Sequence, residues 1–152
     1  MEMPVFTIRG KNHRERGVDY GVQCKELIQG VLERYIRFFN GGHTAVSWDE
    51  AKVISKEFLP FIHSYSPELL DELEGIAQGA DVEFDDLLTL NSRSEAMTLV
   101  RRPPSDKEEL DGCSSVAVLP DASANGHTIL AQNWDTYTWQ EYGTVILQIL
   151  RD

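Results

Sequence analysis

Residues 110–119 read LDGCSSVAVL, and this stretch decides how the chain is interpreted. Cys113 follows a glycine, and a run of residues typical of a β-strand begins at the thiol. The preceding segment RRPPSDKEELDG, residues 101–112, holds two prolines and mostly charged side chains, which predicts an exposed linker. A structural cysteine is expected inside a strand. A cysteine at the head of a strand, directly after a linker, is a candidate catalytic nucleophile.

The spacing of apolar residues changes across this linker. Upstream, a short strand candidate precedes apolar residues at helical spacings of three and four. Downstream, strand patterns take over, and Asn125-Gly126 is a strong hairpin signal. We therefore predict an α+β fold that is mainly helical up to about residue 100 and β-rich after residue 113. The predicted strands are residues 3–8, 113–119, 127–132 and 143–150, and the predicted helices cover about 20–39, 47–63, 66–79 and 84–97.

Local signals set the expected helix boundaries. Asn40-Gly41-Gly42 is a strong stop for the first helix, and the segment 47–50 reads as a capping box that starts the second. Ser66-Pro67 supplies a cap and a first-turn proline for the third helix, and Gly79 is its expected end. The last predicted strand has no onward partner, so we expect this chain to be the N-terminal part of a longer protein.

Composition limits the classes of function. The 152 residues carry a formal net charge of -11, which argues against nucleic acid or an anionic membrane as a partner. The N-terminus lacks a secretory signal, and no apolar run approaches the roughly 20 residues of a membrane span, so we expect a cytoplasmic protein. The two cysteines are expected to be reduced thiols, and Cys24 to be a packed core residue.

Cys113 has a specific reaction open to it. Its thiol can attack the carbonyl of Gly112 and convert the peptide bond to a thioester, which water then hydrolyses. Glycine before the cut suits this step because it has no Cβ and tolerates unusual dihedral angles. The cut leaves an N-terminal cysteine, whose α-amino group can serve as the base for its own thiol. The alternative is a small buried residue at the start of a strand.

Several motifs occur together and in order along the chain. They are IRGKNHRERGVDYG at residues 8–21, ELLDELEGIAQGADVEFDDLLTLNSRSE at 68–95, DGCSS at 111–115 and ILAQNWD at 129–135. In combination they resemble the acyl-coenzyme A:6-aminopenicillanic acid acyltransferase family, also called the isopenicillin-N acyltransferase family, of the N-terminal nucleophile (Ntn) hydrolases. The resemblance covers nearly the whole chain. DGC followed about twenty residues later by QNWD is its most specific part.

The resemblance implies a four-layer αββα sandwich made from one self-cutting precursor. Residues 1–112 would be the small subunit, and residues 113–152 the start of the β-rich catalytic subunit. The two pieces are expected to stay together. The family's full length is roughly twice this chain, and its oxyanion-hole asparagine would lie beyond Asp152, so the missing remainder of the precursor is an expected partner.

The resemblance also implies residue roles. Cys113 would be the nucleophile and Gly112 the residue before the cut. Asp135 would be an active-site aspartate that orients the new amino group, although a turn after a strand is its alternative, and Asn133 would support it. Arg93 and Glu95 are expected to form a buried ion pair that supports the site.

The implied function is acyl transfer through a Cys113 thioester. The donor would be a small-molecule amide or an acyl thioester such as acyl-CoA, and the acceptor water or an amine. No cofactor or metal is expected. A pair of Cys113 with His127 is the weaker catalytic alternative, because a hairpin would put His127 at its far end. A non-catalytic helical interaction domain, or an inactive fragment of such an enzyme, is the other alternative.

Two further patterns leave alternatives open. The glycines at positions 10, 17 and 21 do not make a nucleotide-binding fingerprint, because GxGxxG spacing after a strand is missing. Aromatic residues crowd the segment after QNWD, and they would form either a wall of an acyl-binding pocket or a loop packed over the core. They are Trp134, Tyr137, Trp139 and Tyr142.

Overall fold

A computed structural model describes residues 3–99 and 112–150 of the chain. The predicted linker at residues 101–111 lies outside the described residues. The described residues fall into two compact units, a larger one of residues 3–99 and 142–150 and a smaller one of residues 112–141. The larger unit is mainly helical and the smaller one is a β-hairpin with flanking turns, which confirms the predicted order of helices and then strands. The four-layer sandwich stays a prediction.

Seven α-helices and four strands lie in the described residues. The helices are α1 His13–Gln23, α2 Lys25–Phe38, α3 Trp48–Lys56, α4 Leu59–Tyr65, α5 Pro67–Ala80, α6 Phe84–Asn91 and α7 Arg93–Leu99. The strands are β1 Val5–Ile8, β2 Ser114–Val118, β3 Ile129–Asn133 and β4 Ile146–Ile149. None of the helices in the described part of the chain is long and apolar enough to cross a membrane.

Helices α1 and α5 pack with their backbones in direct contact. Gly17 and Gly21 on α1 lie four residues apart, as do Gly75 and Gly79 on α5, so each pair shares one helix face. A Cβ on Gly21 would lie 2.7 Å from the backbone nitrogen of Ala80, and a Cβ on Gly79 would lie 2.8 Å from that of Val22. The four glycines therefore let the two helices approach more closely than any other residue would allow.

The first predicted helix is wrong in one respect, because it is two helices that meet at Cys24. Cys24 has φ -107° and ψ 15°, outside the helical region. Its N–H still donates to the Tyr20 carbonyl at 2.9 Å, and its own carbonyl accepts from Ile28 N at 2.9 Å. The chain therefore changes direction without losing these hydrogen bonds. As predicted, Cys24 is a buried core thiol, and burial raises the pKa of that thiol.

Other helix boundaries follow local chemistry. The Ser47–Glu50 capping box is present as predicted, and the pKa of the Glu50 carboxyl is lowered by hydrogen bonds from Ser47. The second predicted helix divides into α3 and α4, because Pro60 cannot donate a helical hydrogen bond and belongs in a first turn.

The third predicted helix, α5, begins as predicted, with Ser66 at the N-cap position and Pro67 first in the helix, but its capping bond and its end differ from the prediction. The Ser66 side chain does not cap α5 but donates to the Glu68 carboxylate at 2.8 Å. Gly79 does not end the helix; it lies within α5, where it allows the close contact with α1. The helix instead ends at Ala80, and the next residue, Asp81, has a left-handed φ of 57°. The fourth predicted helix is also divided, into α6 and α7, at Ser92.

The strands form two separate pairs. Strands β2 and β3 form the predicted antiparallel hairpin, with Val118 paired to Ile129, and Gly126 has the positive φ of 69° that its turn requires. The strand predicted at residues 143–150 is confirmed as β4, but it does not extend the hairpin's sheet. It pairs in parallel with β1, with Val5 opposite Ile146 and Ile8 opposite Ile149. A short 3₁₀ helix, Thr138–Gly143, precedes this strand.

We predict that Gly75→Ala lowers the free energy of unfolding by about 3 kcal/mol, because its Cβ would overlap the carbonyl of Arg14 and lie 2.9 Å from Val18 N. Alanine favours the helical state over glycine by about 1 kcal/mol, so a loss of stability must come from the helix contact. Urea unfolding followed by circular dichroism measures the change. Asp71→Ala, on the exposed side of the same helix, is the control and should change stability little. Equal stabilities of the two variants would contradict the close contact.

Candidate active site

The hairpin brings Cys113 to the end of the QNWD motif. Ser114 is paired with Asn133, so the residue before β2 and the residues after β3 meet at the open end of the hairpin. The Cys113 thiol lies 3.8 Å from the backbone carbonyl oxygen of Asp135 and donates to it. This is a weak hydrogen bond, as expected for sulfur. Two residues that sequence reasoning paired across 22 positions are therefore neighbours.

Asp135 makes a second contact through its side chain. The Asn133 amide donates to the Asp135 carboxylate, with Nδ2 and Oδ1 2.8 Å apart. Residues two apart in extended backbone lie on the same side, which makes this bond a local consequence of the N-W-D spacing. The three predicted site residues of this unit thus form one chain of contacts, from the thiol through the Asp135 backbone to its carboxylate and Asn133.

Gly112 is exposed and unhindered. A Cβ built on Gly112 would meet no heavy atom within 4 Å. Packing among the described residues therefore does not require glycine at this position. Gly112, Cys113, Asn133 and Asp135 are all exposed to water.

His127 lies at the opposite end of the hairpin from the thiol. The ladder runs from the pair Ser114–Asn133 to the pair Val118–Ile129, and His127 follows the turn beyond that last pair. Five residues of strand separate Cys113 from Val118, a distance of about 17 Å at the usual rise. The sequence predicted that the hairpin would put His127 at its far end, and the structure confirms this. The imidazole is therefore not placed to accept a proton from the Cys113 thiol.

The predicted buried ion pair between Arg93 and Glu95 is wrong. Arg93 is half-buried, and its guanidinium donates to the Leu90 carbonyl at 2.6 Å and lies 4.9 Å from the centre of the Tyr35 ring. Glu95 is exposed. The physical reason is the helix itself, since side chains two residues apart point about 200° away from each other. The supporting role of Arg93 and Glu95 stays a prediction.

The aromatic residues after QNWD do not act as one group. Tyr137 and Trp139 stack with their ring centres 6.0 Å apart, and the Tyr137 side chain is exposed. Tyr142 instead belongs to the larger unit, where the Arg34 guanidinium lies 3.6 Å from its ring centre. For Tyr142 the structure therefore favours packing over a helix rather than a pocket wall. Sequence reasoning missed this contact, because no local pattern joins positions 34 and 142.

We predict that Cys113 reacts with a thiol probe such as iodoacetamide at least about tenfold faster than Cys24 in the folded protein. Cys113 is exposed, whereas Cys24 is buried and burial raises its thiol pKa, which lowers the fraction of reactive thiolate. Peptide mass mapping over a time course measures both rates. In denaturant the two rates should converge. Equal labelling of the two cysteines in the folded protein would contradict the assigned burial.

Two comparisons with known proteins bear on this site. The chain is 28% identical over 158 residues to the beta-alanyl-dopamine/carcinine hydrolase of Drosophila melanogaster, a match that covers 99% of this chain and 38% of that enzyme. It is 29% identical over 136 residues to the acyl-coenzyme A:6-aminopenicillanic-acid-acyltransferase 40 kDa form of Emericella nidulans, covering 86% of this chain and 35% of that enzyme.

The chain therefore spans a little over a third of the length of the curated relatives that it matches. No protein-family model matches it. Both alignments nevertheless extend along most of the chain, and the relatives are a hydrolase and an acyltransferase. This similarity confirms the resemblance to the acyl-coenzyme A:6-aminopenicillanic acid acyltransferase family that the sequence motifs predicted.

Proposed function

We propose that this chain is the N-terminal part of a self-processing cysteine amidohydrolase or acyltransferase of the Ntn type, with Cys113 as its nucleophile. The observation that carries the proposal is the contact between the Cys113 thiol and Asp135 at 3.8 Å. A hydrolase and an acyltransferase among the relatives support the general class of reaction. The proposed cut falls between Gly112 and Cys113.

The cut proceeds through the thiol of Cys113. Its sulfur attacks the Gly112 carbonyl carbon and forms a C–S bond, and the C–N bond then breaks as the nitrogen takes up the thiol proton. Water adds to the resulting thioester, the C–S bond breaks, and the sulfur is protonated again. The products are a Gly112 carboxylate and an N-terminal Cys113. The open surroundings of Gly112 are compatible with this attack.

The new α-amino group supplies the base for turnover. Its reference pKa of about 7.7–8.0 leaves a useful neutral fraction near neutral pH. The neutral amine takes the thiol proton, and the thiolate attacks the carbonyl of an acyl donor. The donor's amine or thiol leaves with the proton, and a Cys113 acyl-thioester remains. Water or an acceptor amine then takes the acyl group and restores the thiol.

Asp135 is proposed to orient this amino group. Its backbone carbonyl accepts a hydrogen bond from the Cys113 thiol, and its carboxylate accepts one from the Asn133 amide at 2.8 Å. A carboxylate next to the new N-terminus would hydrogen-bond the ammonium that forms when the amine accepts the thiol proton. Asn133 would fix the rotamer of that carboxylate.

The substrates are proposed to be small molecules that carry a transferable acyl group. One relative is named for hydrolysis of beta-alanyl-dopamine and carcinine, and the other for transfer from acyl-coenzyme A. We therefore propose an amide or an acyl thioester as the donor and water or an amine as the acceptor for this chain.

A non-catalytic interaction function is the second candidate, and the exposure of the hairpin favours it. Val116 is 56% exposed and Leu130 76% exposed, so the hairpin presents apolar side chains to solvent. A two-stranded hairpin is marginally stable alone and needs further strands or a packing partner. Self-cutting distinguishes the two candidates, because an interaction domain would stay intact.

We predict that the complete reading frame yields two fragments that separate between Gly112 and Cys113, and that Cys113→Ala yields one intact chain. The variant lacks the sulfur that must attack, so its cut should be undetectable. Intact mass spectrometry measures both. His127→Ala is the control and should be cut like the parent, because His127 lies at the far end of the hairpin. Uncut parent protein would remove the proposed base and favour the interaction function.

We predict that Asp135→Asn, measured after the cut is complete, slows acyl turnover by roughly 100-fold, because the amide cannot balance the charge of the ammonium. Release of the amine from a panel of small amides measures the rate. Asp121→Asn is the matched control, since Asp121 is an exposed aspartate at the other end of the same hairpin. Equal rates for the two variants would remove Asp135 from the active site.

A further inference from the structure

We propose that the segment Tyr142–Ile149 is the attachment that holds the two fragments together once the chain is cut ahead of Cys113. We call this segment the clamp. It follows the cut in sequence, but it packs with the helical residues that precede the cut. The biological role of the clamp rests on the proposed self-cutting, whereas the contacts that form it do not.

Strand pairing is the first element of the clamp. Strand β4 lies parallel to β1 over four residue pairs, from Val5–Ile146 to Ile8–Ile149. At the two ends of this pairing, Ile146 N donates to the Pro4 carbonyl at 2.9 Å and Leu150 N donates to the Ile8 carbonyl at 3.0 Å. A cut between Gly112 and Cys113 would leave the two strands on different fragments, so the pairing would become an interface.

The strand β1 is itself fixed to the helical core. Ile8 is buried, and Phe6 packs against the buried cluster that contains Cys24 and Leu87. Phe6 is the partner of Leu147 in the parallel register. The clamp therefore adds its strand to one that the helices already hold in place.

The Tyr142 ring is the second element of the clamp, and it packs on α2. Gly30 leaves space for this ring, because a Cβ at that position would lie 2.7 Å from Tyr142 Cε1. Arg34 donates to the Gly30 carbonyl at 2.8 Å, and its guanidinium lies 3.6 Å from the centre of the ring. The ring therefore sits over a cation that the helix backbone holds in position, which is a favourable cation–π arrangement.

Gly143 completes the contact with the helix. A Cβ on Gly143 would overlap the Val31 side chain, so the clamp backbone lies directly against α2. One glycine on the helix and one on the clamp thus allow close approach on both sides. Two strands alone make a weak pair, and this second contact on α2 anchors the clamp where it enters β4.

The test separates retention of the fragments from self-cutting. A recognition sequence for a site-specific protease is inserted within residues 101–111 of the Cys113→Ala chain, and an affinity tag is placed at the N-terminus. The added protease then makes the cut. The fraction of the C-terminal fragment that stays on the tagged fragment is followed with time after dilution.

We expect the parent fragments to stay together and the double variant Tyr142→Ala/Ile146→Pro to release its C-terminal fragment at least roughly tenfold faster. Gly30→Leu acts from the other fragment. Leucine has a higher helix propensity than glycine, and its side chain would occupy the space that the Tyr142 ring fills. Faster release of the fragment from this variant therefore cannot come from unfolding of α2. Tyr137→Ala, an exposed aromatic residue of the same fragment, is the control and should retain its fragment.

Two results would overturn the proposal. They are release from the parent as fast as from the double variant, and retention by the double variant and Gly30→Leu equal to the parent. Circular dichroism of the tagged fragment checks that its helices stay folded in each variant. A chain with Cys113 intact that fails to cut itself would count against the proposed function alone, because the cut in this test does not use the thiol.

Discussion

The close contact between α1 and α5 is the constraint on which the helical unit depends. Gly17 and Gly21 meet Gly75 and Gly79, and a Cβ at any of the four would run into backbone atoms of the other helix. Side-chain packing can adjust by changing rotamers, but a backbone contact cannot, so the crossing of these two helices is fixed. Helix α2 follows α1 at Cys24, and residues of α2 and α5 contribute to the buried cluster against which Phe6 packs.

From that core the structure continues to the residues that follow the proposed cut. Phe6 ties β1 to the helices, β1 pairs with β4, and Tyr142 rests on Gly30 and Arg34 of α2. The hairpin that carries Cys113 lies in sequence between the helices and this clamp. The clamp, which follows the hairpin in sequence, therefore packs with the helical unit.

Features governed by nearby residues could be predicted from the sequence. The capping box at residues 47–50 depends on side chains within a few positions, and it is present. The predicted hairpin is present as well, with Asn125-Gly126 inside the loop that joins its strands. The hairpin also accounts for the meeting of Cys113 and Asp135, because its antiparallel register pairs Ser114 with Asn133. The resemblance to an enzyme family identified the same two residues, and the structure brings them within 3.8 Å through the Asp135 backbone.

Features governed by distant residues could not be predicted from the sequence. The pairing of β1 with β4 joins residues 141 positions apart, and periodicity within a segment carries no information about such a partner. The glycines of α1 were compared with a nucleotide-binding pattern, yet their spacing of four, repeated in α5, is also a signature of close helix packing. The expected pair of Arg93 and Glu95 failed for a simpler reason, since helix geometry separates side chains two residues apart.

The central claim is that the Cys113 sulfur forms a thioester with the Gly112 carbonyl, and hydroxylamine tests it directly. Hydroxylamine attacks thioesters readily and peptide bonds poorly. If the thioester forms, adding hydroxylamine during processing of the complete protein should speed the cut, and the N-terminal fragment should end in a Gly112 hydroxamate, which mass spectrometry distinguishes from a carboxylate. An N-terminal fragment that always ends in a carboxylate, at a rate that hydroxylamine does not change, would contradict the account.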